Sequence, residues 1–248
     1  MEAARREHEG LVKLLRDAGV EVYYAQESQP HRLDSIFVFD PVLVTNAGVI
    51  IGKMGKALRQ GEEGLLAREL TRLGVPILYT LTGDATLEGG DVLWLDPDTL
   101  IIARSYRTND GGYEQVRCIL ADYVKSIQQV HLPHWRGRGA ILHLLSCISL
   151  IAEDMALVYL PLLPIPLVEL LESRNIELVE VPAEEVATHG CNALAIAPRH
   201  VILVAGNRKT ARQLRERGVE VWEYEGREIT LNRNGGPTCL TCPILREY

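Results

Sequence analysis

A short pattern that recurs along the chain constrains its fold more than any other feature. In each copy an amphipathic helix ends, in most cases at glycine and in one at Asn175, and a short apolar run follows. Glycine and asparagine tolerate the left-handed backbone that closes many helices, so each copy predicts a helix followed by a strand. The five copies span residues 15–22, 70–77, 123–131, 170–178 and 214–221.

Pairs of short apolar runs lie between these copies and predict β-hairpins. Two of the pairs are separated by the turn-forming sequences Asp96-Pro97-Asp98 and Ala197-Pro198-Arg199-His200. The pairs are residues 36–38 with 49–51, 92–95 with 100–103, and 193–196 with 201–204.

The resulting repeat is strand, strand, helix, strand, with a period of about 40 to 55 residues that is typical of quasi-repeat architectures. Five such units could close into a ring and bring loops from every unit to one central mouth. We therefore predict an α/β fold in a single domain over residues 1–248. Because the chain opens in the helix of residues 2–17, the first unit is expected to lack its initial strand.

Charge and cysteine content argue against several classes of protein. The net charge of -7 disfavours nucleic acid as the main partner, because binding phosphates needs a basic surface. Five cysteines are sparse and odd for a disulfide framework and favour a reducing compartment. No stretch reaches about 18 uninterrupted apolar residues, and the amino end shows no signal peptide. These features predict a cytoplasmic protein that binds neither nucleic acid nor membranes.

A thiol follows a diglycine near the carboxyl terminus. Gly235 and Gly236 permit tight backbone turns that present Cys239 at a bend, as suits a nucleophile. A lone cysteine is more often a small buried hydrophobe, so the local sequence leaves both interpretations open. The spacing of Cys239 and Cys242 also occurs in zinc sites and redox dithiols. However, the chain has no second ligand pair, and a thioredoxin-like dithiol lies elsewhere in its fold.

Polar groups stand at three places where the pattern predicts apolar residues or a plain turn. Asp34 and Asp40 flank an apolar run, and Glu88 and Asp91 enclose a diglycine at a strand entrance. His143 lies inside another apolar run. Taken singly, strand-end acids are usually solvated caps, and a histidine in such a run is usually a hydrogen-bonded core residue.

Taken together, five motifs resemble those of the guanidine-modifying superfamily, which contains dimethylarginine dimethylaminohydrolases, arginine deiminases, agmatine deiminases and amidinotransferases. They occur in the family's order, and the resemblance covers residues 2–244. The dimethylarginine dimethylaminohydrolase branch is the most similar in length and in the DSxFVxD form of the first motif. The resemblance implies a five-bladed α/β propeller, the pentein fold, built of pseudo-repeated ββαβ units. The motifs are FVFDP (37–41), LEGGDV (87–92), RTN (107–109), LHL (142–144) and GGPTCLT (235–241).

The resemblance also implies roles for individual residues. Cys239 matches the family's nucleophile and His143 its general acid and base. Glu88 matches the carboxylate that binds the guanidinium group and orients the histidine. Asp40 resembles a second acid that binds guanidinium.

Further substrate contacts are implied outside this catalytic set. Arg59 and Arg107 fall where related hydrolases bind the α-carboxylate of the substrate, and Asp34 falls at another polar contact. Asp91, in the same motif as Glu88, is counted among the substrate-binding residues. Cys242 matches no family role.

The implied chemistry requires no metal or other cofactor. A bound cation about 4 Å from the thiol favours the thiolate by roughly 4 kcal/mol, or about three pKa units. The histidine then protonates the departing amine and afterwards activates water. The expected partner is a small guanidino compound, and the products are an amine or ammonia and a ureido compound such as citrulline. The oligomeric state stays open, with a homodimer as one form.

Two departures from the family bear on the substrate. Related dimethylarginine enzymes have a glutamate where this chain has Phe39, and arginine deiminases have an acid where it has Leu145. Each unpaired donor in a buried site costs about 1 to 3 kcal/mol, so fewer acids favour a guanidine with fewer N–H groups. We therefore predict an N-alkylated guanidine as substrate in preference to plain arginine.

Several other functions are compatible with parts of the same sequence. An amidinotransferase would pass the amidino group to an amine instead of water, and an arginine deiminase would act on arginine itself. A non-catalytic binding module with this fold would have no use for Cys239 and His143. A dinucleotide-binding enzyme is disfavoured because the Glu88–Asp91 segment lacks the GxGxxG form.

Overall fold

A computed structural model describes residues 1–26, 31–140 and 142–245. The helices of this part of the chain are amphipathic and alternate with short strands. They are α1 (Glu2–Asp17), α2 (Glu62–Arg72), α3 (Asp110–Ile119), α4 (Ile165–Ser173), α5 (Ala183–Val186) and α6 (Arg208–Glu216). Within the described residues, no helix has both the length and the apolar character needed to cross a membrane.

The strands are short and fall into consecutive groups along the chain. They are β1 (Val42–Thr45), β2 (Gly48–Ile51), β3 (Ile77–Thr80), β4 (Val92–Asp96), β5 (Thr99–Arg104), β6 (Ser126–His131), β7 (Ile148–Ala152), β8 (Met155–Val158), β9 (Glu177–Glu180), β10 (Leu194–Ala197), β11 (His200–Val204) and β12 (Glu220–Tyr224).

Every three-stranded sheet of the described chain has the same topology. Two consecutive strands form an antiparallel hairpin, and the third joins the second in parallel, as in β4-β5-β6. A parallel pair needs a crossover, which α2, α3, α4 and α6 supply in the four sheets. The predicted strand, strand, helix, strand unit is therefore confirmed four times.

The helix ends follow the predicted capping chemistry. Residues Gly19, Gly74, Asn175 and Gly218 have φ angles of +81°, +77°, +56° and +75°. After each of them, an amide reaches back across the last helical turn, as when Val75 donates to the Leu70 carbonyl at 2.9 Å. This left-handed closure turns the chain sharply, so the following residues can enter a strand beside the helix.

One predicted hairpin is wrong in its first strand. Residues 36–38 form no strand; the segment Leu33–Ile36 is a 3₁₀ helix, and the strand begins only at Val42. Pro41 cannot donate a hydrogen bond to a sheet and the short loop before it closes on itself, with Phe37 donating to the Asp34 carbonyl at 2.9 Å. The hairpins β4-β5 and β10-β11 are confirmed.

Two other differences concern single elements. The apolar residues that follow Gly19 were expected to form a strand, but residues 20–26 contain none. Conversely, the β7-β8 hairpin turns at Glu153 and Asp154 without proline or glycine, and it is not among the predicted pairs of strands. A strand partner is needed to stabilise either segment, and partners are a tertiary property.

The chain forms two compact units. One comprises Met1–Tyr24 and Leu145–Thr238, and the other Ala25–Leu144 and Cys239–Tyr248. We call them the 145–238 unit and the 25–144 unit. The core of the 145–238 unit contains Leu157, Val179 and Leu203 among other apolar side chains, and α1 packs against β12.

The 25–144 unit buries two apolar clusters, one around Ile50 and Leu100 and the other around Val49 and Leu66. The chain's last segment returns to this unit. Side chains of that segment, including Cys242, pack against the second cluster. As a result, every residue assigned a role above lies in the 25–144 unit.

Candidate active site

The diglycine of the LEGGDV motif allows three segments to meet at close range. A Cβ atom on Gly89 would lie 2.4 Å from the Phe39 carbonyl oxygen, and one on Gly90 would lie 2.4 Å from His143 Nδ1. The amide of Gly89 donates to the Asp40 carbonyl at 2.7 Å. The absence of side chains at both glycines therefore brings Asp40 and His143 beside the following turn.

Glu88 and His143 form a buried acid–imidazole pair. Glu88 Oε2 lies 2.8 Å from His143 Nε2, and the exposed fractions are 0% for Glu88 and 6% for His143. The other carboxylate oxygen, Oε1, accepts the amides of Gly55 at 3.0 Å and Lys56 at 3.2 Å. Arg107 Nη1 lies 3.6 Å from the same oxygen. Both oxygens of Glu88 thus face donors, as an ionised carboxylate requires.

The charges of this pair support each other. Burial would raise the pKa of Glu88, but the hydrogen bond and charge of His143 outweigh it and lower the pKa well below its usual value. Burial would likewise lower the pKa of His143, but the charge of Asp40 and the hydrogen bond to Glu88 raise it to about 9. The structure therefore favours carboxylate and imidazolium at neutral pH.

Asp40 links His143 to a buried arginine. Its Oδ1 accepts the amide of Gly90 at 3.2 Å and lies 3.8 Å from His143 Nδ1. Its Oδ2 accepts Arg59 Nη1 at 2.5 Å. Arg59 also binds Glu62, through Nε at 2.9 Å and Nη2 at 2.8 Å. A chain of alternating charges therefore runs from Glu62 through Arg59 and Asp40 to His143.

Asp91 is bound by the protein on both oxygens. Ser105 Oγ donates to Oδ2 at 2.5 Å and the Leu144 amide donates to Oδ1 at 3.2 Å, while the exposed fraction of Asp91 is 0%. Ser105 Oγ also accepts the Arg107 amide at 2.9 Å. Burial raises the pKa of Asp91 to about 6. Asp91 thus joins the loop of Arg107 to the turn after His143, a placement that differs from the substrate contact expected from the sequence.

Cys239 and Asp34 are the more exposed members of the predicted set. Cys239 is half-buried, and its carbonyl accepts a hydrogen bond from the Phe39 amide at 3.3 Å. The backbone of Cys239 is therefore bonded to the residue that precedes Asp40. Asp34 forms a 2.7 Å ion pair with Lys56, whose amide binds Glu88. The structure therefore gathers Asp40, Arg59, Glu88, Arg107 and His143 into one buried network, and it ties Cys239 to the network through the backbone.

The second thiol of the CxxC pair has different surroundings. Cys242 is partly buried against the apolar cluster that contains Val42 and Val49. Burial raises the pKa of Cys242 to about 12, so this thiol stays protonated at neutral pH. These surroundings suit a small core residue rather than a redox partner for Cys239.

Sequence reasoning missed Glu62 and Ser105. Glu62 follows Arg59 by three residues at the start of α2, a spacing that allows an ion pair. Ser105 stands two residues before Arg107, where a hydroxyl can cap a turn. Both signals are weak in a single sequence, because acids at helix starts and serines in loops are common.

The cluster also has the spacing of a metal site. Asp40, Glu88 and His143 each place one side-chain atom within 4.8 Å of the others. Two ligands of a tetrahedral zinc ion, each about 2.0 Å from the metal, would lie about 3.3 Å apart. Glu88 Oε2 and His143 Nε2 are instead 2.8 Å apart, which is a hydrogen-bond distance. The geometry therefore fits an acid–imidazole pair better than a pair of metal ligands.

Known proteins resemble the chain over nearly its whole length. Residues 1–246 match the family described as N,N dimethylarginine dimethylhydrolase, eukaryotic. The chain is 26% identical to the N(G),N(G)-dimethylarginine dimethylaminohydrolase of Pseudomonas aeruginosa, over 96% of this chain and 87% of that protein. It is 28% identical to the arginine deiminase of Listeria welshimeri over 89% of this chain, and it spans 65% of that protein's length.

A solved structure agrees with these matches. The dimethylarginine dimethylaminohydrolase of Pseudomonas aeruginosa, a mutant in complex with citrulline, superposes with a TM-score of 0.81 at 25% identity, covering 97% of this chain and 88% of that one. The predictions of a guanidine-modifying enzyme, an α/β pentein fold and a hydrolase of C–N bonds in amidines are confirmed. The chain belongs to the N,N dimethylarginine dimethylhydrolase family.

Proposed function

We propose that the protein hydrolyses an N-methylated guanidino compound, with Cys239 as nucleophile, and releases a methylamine and a ureido product such as citrulline. The observation that carries the proposal is the buried pair of Glu88 and His143 beside Asp40, in the unit that also contains Cys239. Two carboxylates and an imidazolium in one buried network suit the binding of a planar cation and the protonation of its leaving amine.

Binding and catalysis are divided among these residues. Glu88 and Asp40 hold the guanidinium group in plane by charge-assisted hydrogen bonds, which presents its central carbon to the thiolate. Arg107 binds the carboxylate of the substrate, and Asp34 makes a further polar contact. Asp91 holds the loop of Arg107 and the turn after His143 in place.

The reaction proceeds in two balanced steps. In the first, Cys239 Sγ forms a bond to the guanidinium carbon, the bond to the methylated nitrogen breaks, and His143 gives a proton to the leaving amine. In the second, neutral His143 takes a proton from water, and the hydroxide adds to the S-amidino carbon. The C–S bond then breaks, the ureido product leaves and the thiolate is restored.

The direct test is a panel of substrates. The protein would be incubated with arginine, monomethylarginine, dimethylarginine, agmatine and guanidino acids, and ureido product would be measured by mass, with Cys239→Ser as the blank. We expect product from the methylated arginines. Product from none of these guanidines would contradict the proposal, and a new guanidine formed only when an acceptor amine is added would show an amidinotransferase.

We predict that the ratio of kcat/KM for dimethylarginine to that for arginine exceeds one and depends on Phe39. The substitution Phe39→Glu adds an acceptor next to Asp40 in the sequence. It should therefore favour arginine by about 5- to 150-fold, the equivalent of about 1 to 3 kcal/mol for one donor. Phe39→Leu is the control, because it changes packing without adding an acceptor. Higher kcat/KM for arginine in the unchanged protein would contradict the prediction.

The raised pKa of His143 predicts the pH dependence of turnover. Burial would lower the pKa of His143, but Asp40 and Glu88 raise it to about 9. Because the first step needs the imidazolium form, kcat/KM should fall as the pH rises through about 9. Because this pKa lies above the ordinary 6.5, the pairing stabilises the fold fully below about 6.5 and is lost as the pH rises through about 9. A pH–rate profile measures the first effect, and the free energy of unfolding as a function of pH, compared between the wild type and His143→Gln, measures the second. A fall in kcat/KM as the pH rises through about 6.5 would contradict the raised pKa.

Three further statements stay predictions. They are a single catalytic domain over residues 1–248, a cytoplasmic location, and a homodimer as one form of an assembly that the sequence leaves open. Light scattering on the purified protein measures the assembly, and calorimetry measures whether one cooperative transition describes unfolding.

A further inference from the structure

Arg59 is held by the protein on nearly all its donors. Its Nε and Nη2 bind Glu62 Oε2 at 2.9 and 2.8 Å, Nη2 also binds the Phe37 carbonyl at 3.1 Å, and Nη1 binds Asp40 Oδ2 at 2.5 Å. A guanidinium group carries five N–H donors, so these four bonds leave one for any ligand. The exposed fraction of Arg59 is 5%.

Glu62 is placed to hold Arg59 and little else. Its exposed fraction is 2%, and its Oε2 accepts both bonds from Arg59. Among the described residues, its Oε1 has no hydrogen-bond partner. A buried carboxylate is costly unless its charge is matched, so Arg59 and Glu62 stabilise each other as a unit.

Arg107 has a looser contact. Its Nη1 lies 3.6 Å from Glu88 Oε1, which is an ion pair longer than a hydrogen bond. The two arginines that the family resemblance assigns to the substrate's carboxylate are therefore unlike each other. Arg59 keeps one donor, whereas within the described residues the Arg107 side chain makes only this long contact with Glu88.

We propose that Arg59 is a positioning residue that holds Asp40 against the guanidinium-binding site, with Glu62 as its anchor, and that Arg107 alone binds the substrate's carboxylate. This inference rests on the proposed function for its substrate. It gives Arg59 a different role from the one that the resemblance implies.

The physical reason lies in the two oxygens of Asp40. Arg59 fixes Oδ2, and the Gly90 amide fixes Oδ1 at 3.2 Å, so the carboxylate plane has one orientation before substrate arrives. A site that is ordered in advance loses less entropy on binding and keeps the reacting carbon in line with its nucleophile. Removing Arg59 would free the Asp40 carboxylate to rotate. This effect would be the same for substrates with and without a carboxylate at the end remote from the guanidinium group.

A pair of substrates separates the two roles of arginine. Monomethylarginine and N-methyl-N′-butylguanidine share the methylated guanidinium group, but only the first has a carboxylate. Arg59→Lys should reduce kcat/KM by about 100-fold for both, because a misplaced Asp40 affects each alike. Arg107→Lys should reduce kcat/KM for monomethylarginine at least about tenfold more than kcat/KM for N-methyl-N′-butylguanidine. The loss of a bidentate carboxylate contact affects only the substrate that has a carboxylate. If Arg59→Lys impaired only monomethylarginine, the proposal would be overturned.

A second measurement needs no turnover. Asp40, Glu88 and Asp91 are the charged groups that face His143, and Glu62 acts on them through Arg59. Glu62→Gln removes a negative charge that balances Arg59. The midpoint of the His143 titration, followed by NMR, should therefore fall, by on the order of one pH unit.

Glu69→Gln is the matched control for this titration. Glu69 is also buried in α2 and binds an arginine three residues away, with Arg72 Nε at 3.0 Å and Nη2 at 2.8 Å. It should leave the His143 midpoint unchanged. Equal midpoints in Glu62→Gln and Glu69→Gln would overturn the inference. A wild-type protein that turned over neither substrate would contradict the proposed function, and the titration would still decide the role of Arg59.

Discussion

Replacing Cys239 with serine is expected to reduce kcat for methylated arginines by at least about 10⁴-fold, because a hydroxyl near neutral pH is a far weaker nucleophile than a thiolate. The fold should survive, since Cys239 is half-buried and the bond from Phe39 uses its backbone carbonyl. Product formation followed by mass spectrometry measures the loss, and thermal unfolding measures the stability.

Cys242 offers the matched control for this prediction. The Cys242→Ser variant should retain turnover, because burial raises the pKa of that thiol to about 12 and keeps it protonated. Labelling with 2-chloroacetamidine, a small amidinium alkylating reagent, should modify Cys239 in the wild type and in Cys242→Ser. Labelling of Cys242 instead, or turnover by Cys239→Ser near the wild-type rate, would show that the nucleophile was assigned wrongly.

Replacing Gly90 with alanine is expected to disrupt the candidate active site through the addition of a single methyl group. The new Cβ would lie 2.4 Å from His143 Nδ1, 2.6 Å from its Cγ and 3.0 Å from Asp40 Oδ1. Because His143 is buried, it must move and break its 2.8 Å bond to Glu88. We expect kcat to fall by about 10²-fold or more, and the free energy of unfolding to fall by about 2 to 4 kcal/mol.

The control for Gly90→Ala is Gly10→Ala in α1. A Cβ at Gly10 meets nothing within 4 Å, and alanine favours a helix, so stability should stay equal or rise. Steady-state kinetics and urea unfolding measure both variants. Wild-type turnover in Gly90→Ala, with an unchanged titration of His143, would mean that the imidazole does not stand against this turn.

Much of the fold was predictable because it depends on local rules. The left-handed residues after the helices, such as Gly74 and Asn175, are specified by backbone sterics, and the β4-β5 hairpin is specified by its proline turn. The strand predicted at residues 36–38 failed because apolar character is shared by strands and buried loops. Only the pairing of Val42 with Ile51 shows where the sheet begins.

The candidate site was also predictable only in part from the sequence. The motifs and their resemblance to a family indicated which residues are chemically equipped, among them Cys239, His143 and Glu88. They did not show that Asp91 would bind Ser105, or that Arg59 would use most of its donors on Asp40 and Glu62. The sequence does not show which group a carboxylate will bind. That partner determines whether the carboxylate binds substrate or supports another side chain.

The repeating unit, the capping of its helices and the residue types available for guanidine chemistry follow from the sequence, since each depends on neighbours along the chain. Packing in three dimensions sets which carboxylates lie together, how close His143 lies to Gly90, and how many donors Arg59 and Arg107 each keep for a ligand. Burial and Coulomb interactions depend on distances in space, so the pKa of a buried group depends on neighbours that are remote in the sequence.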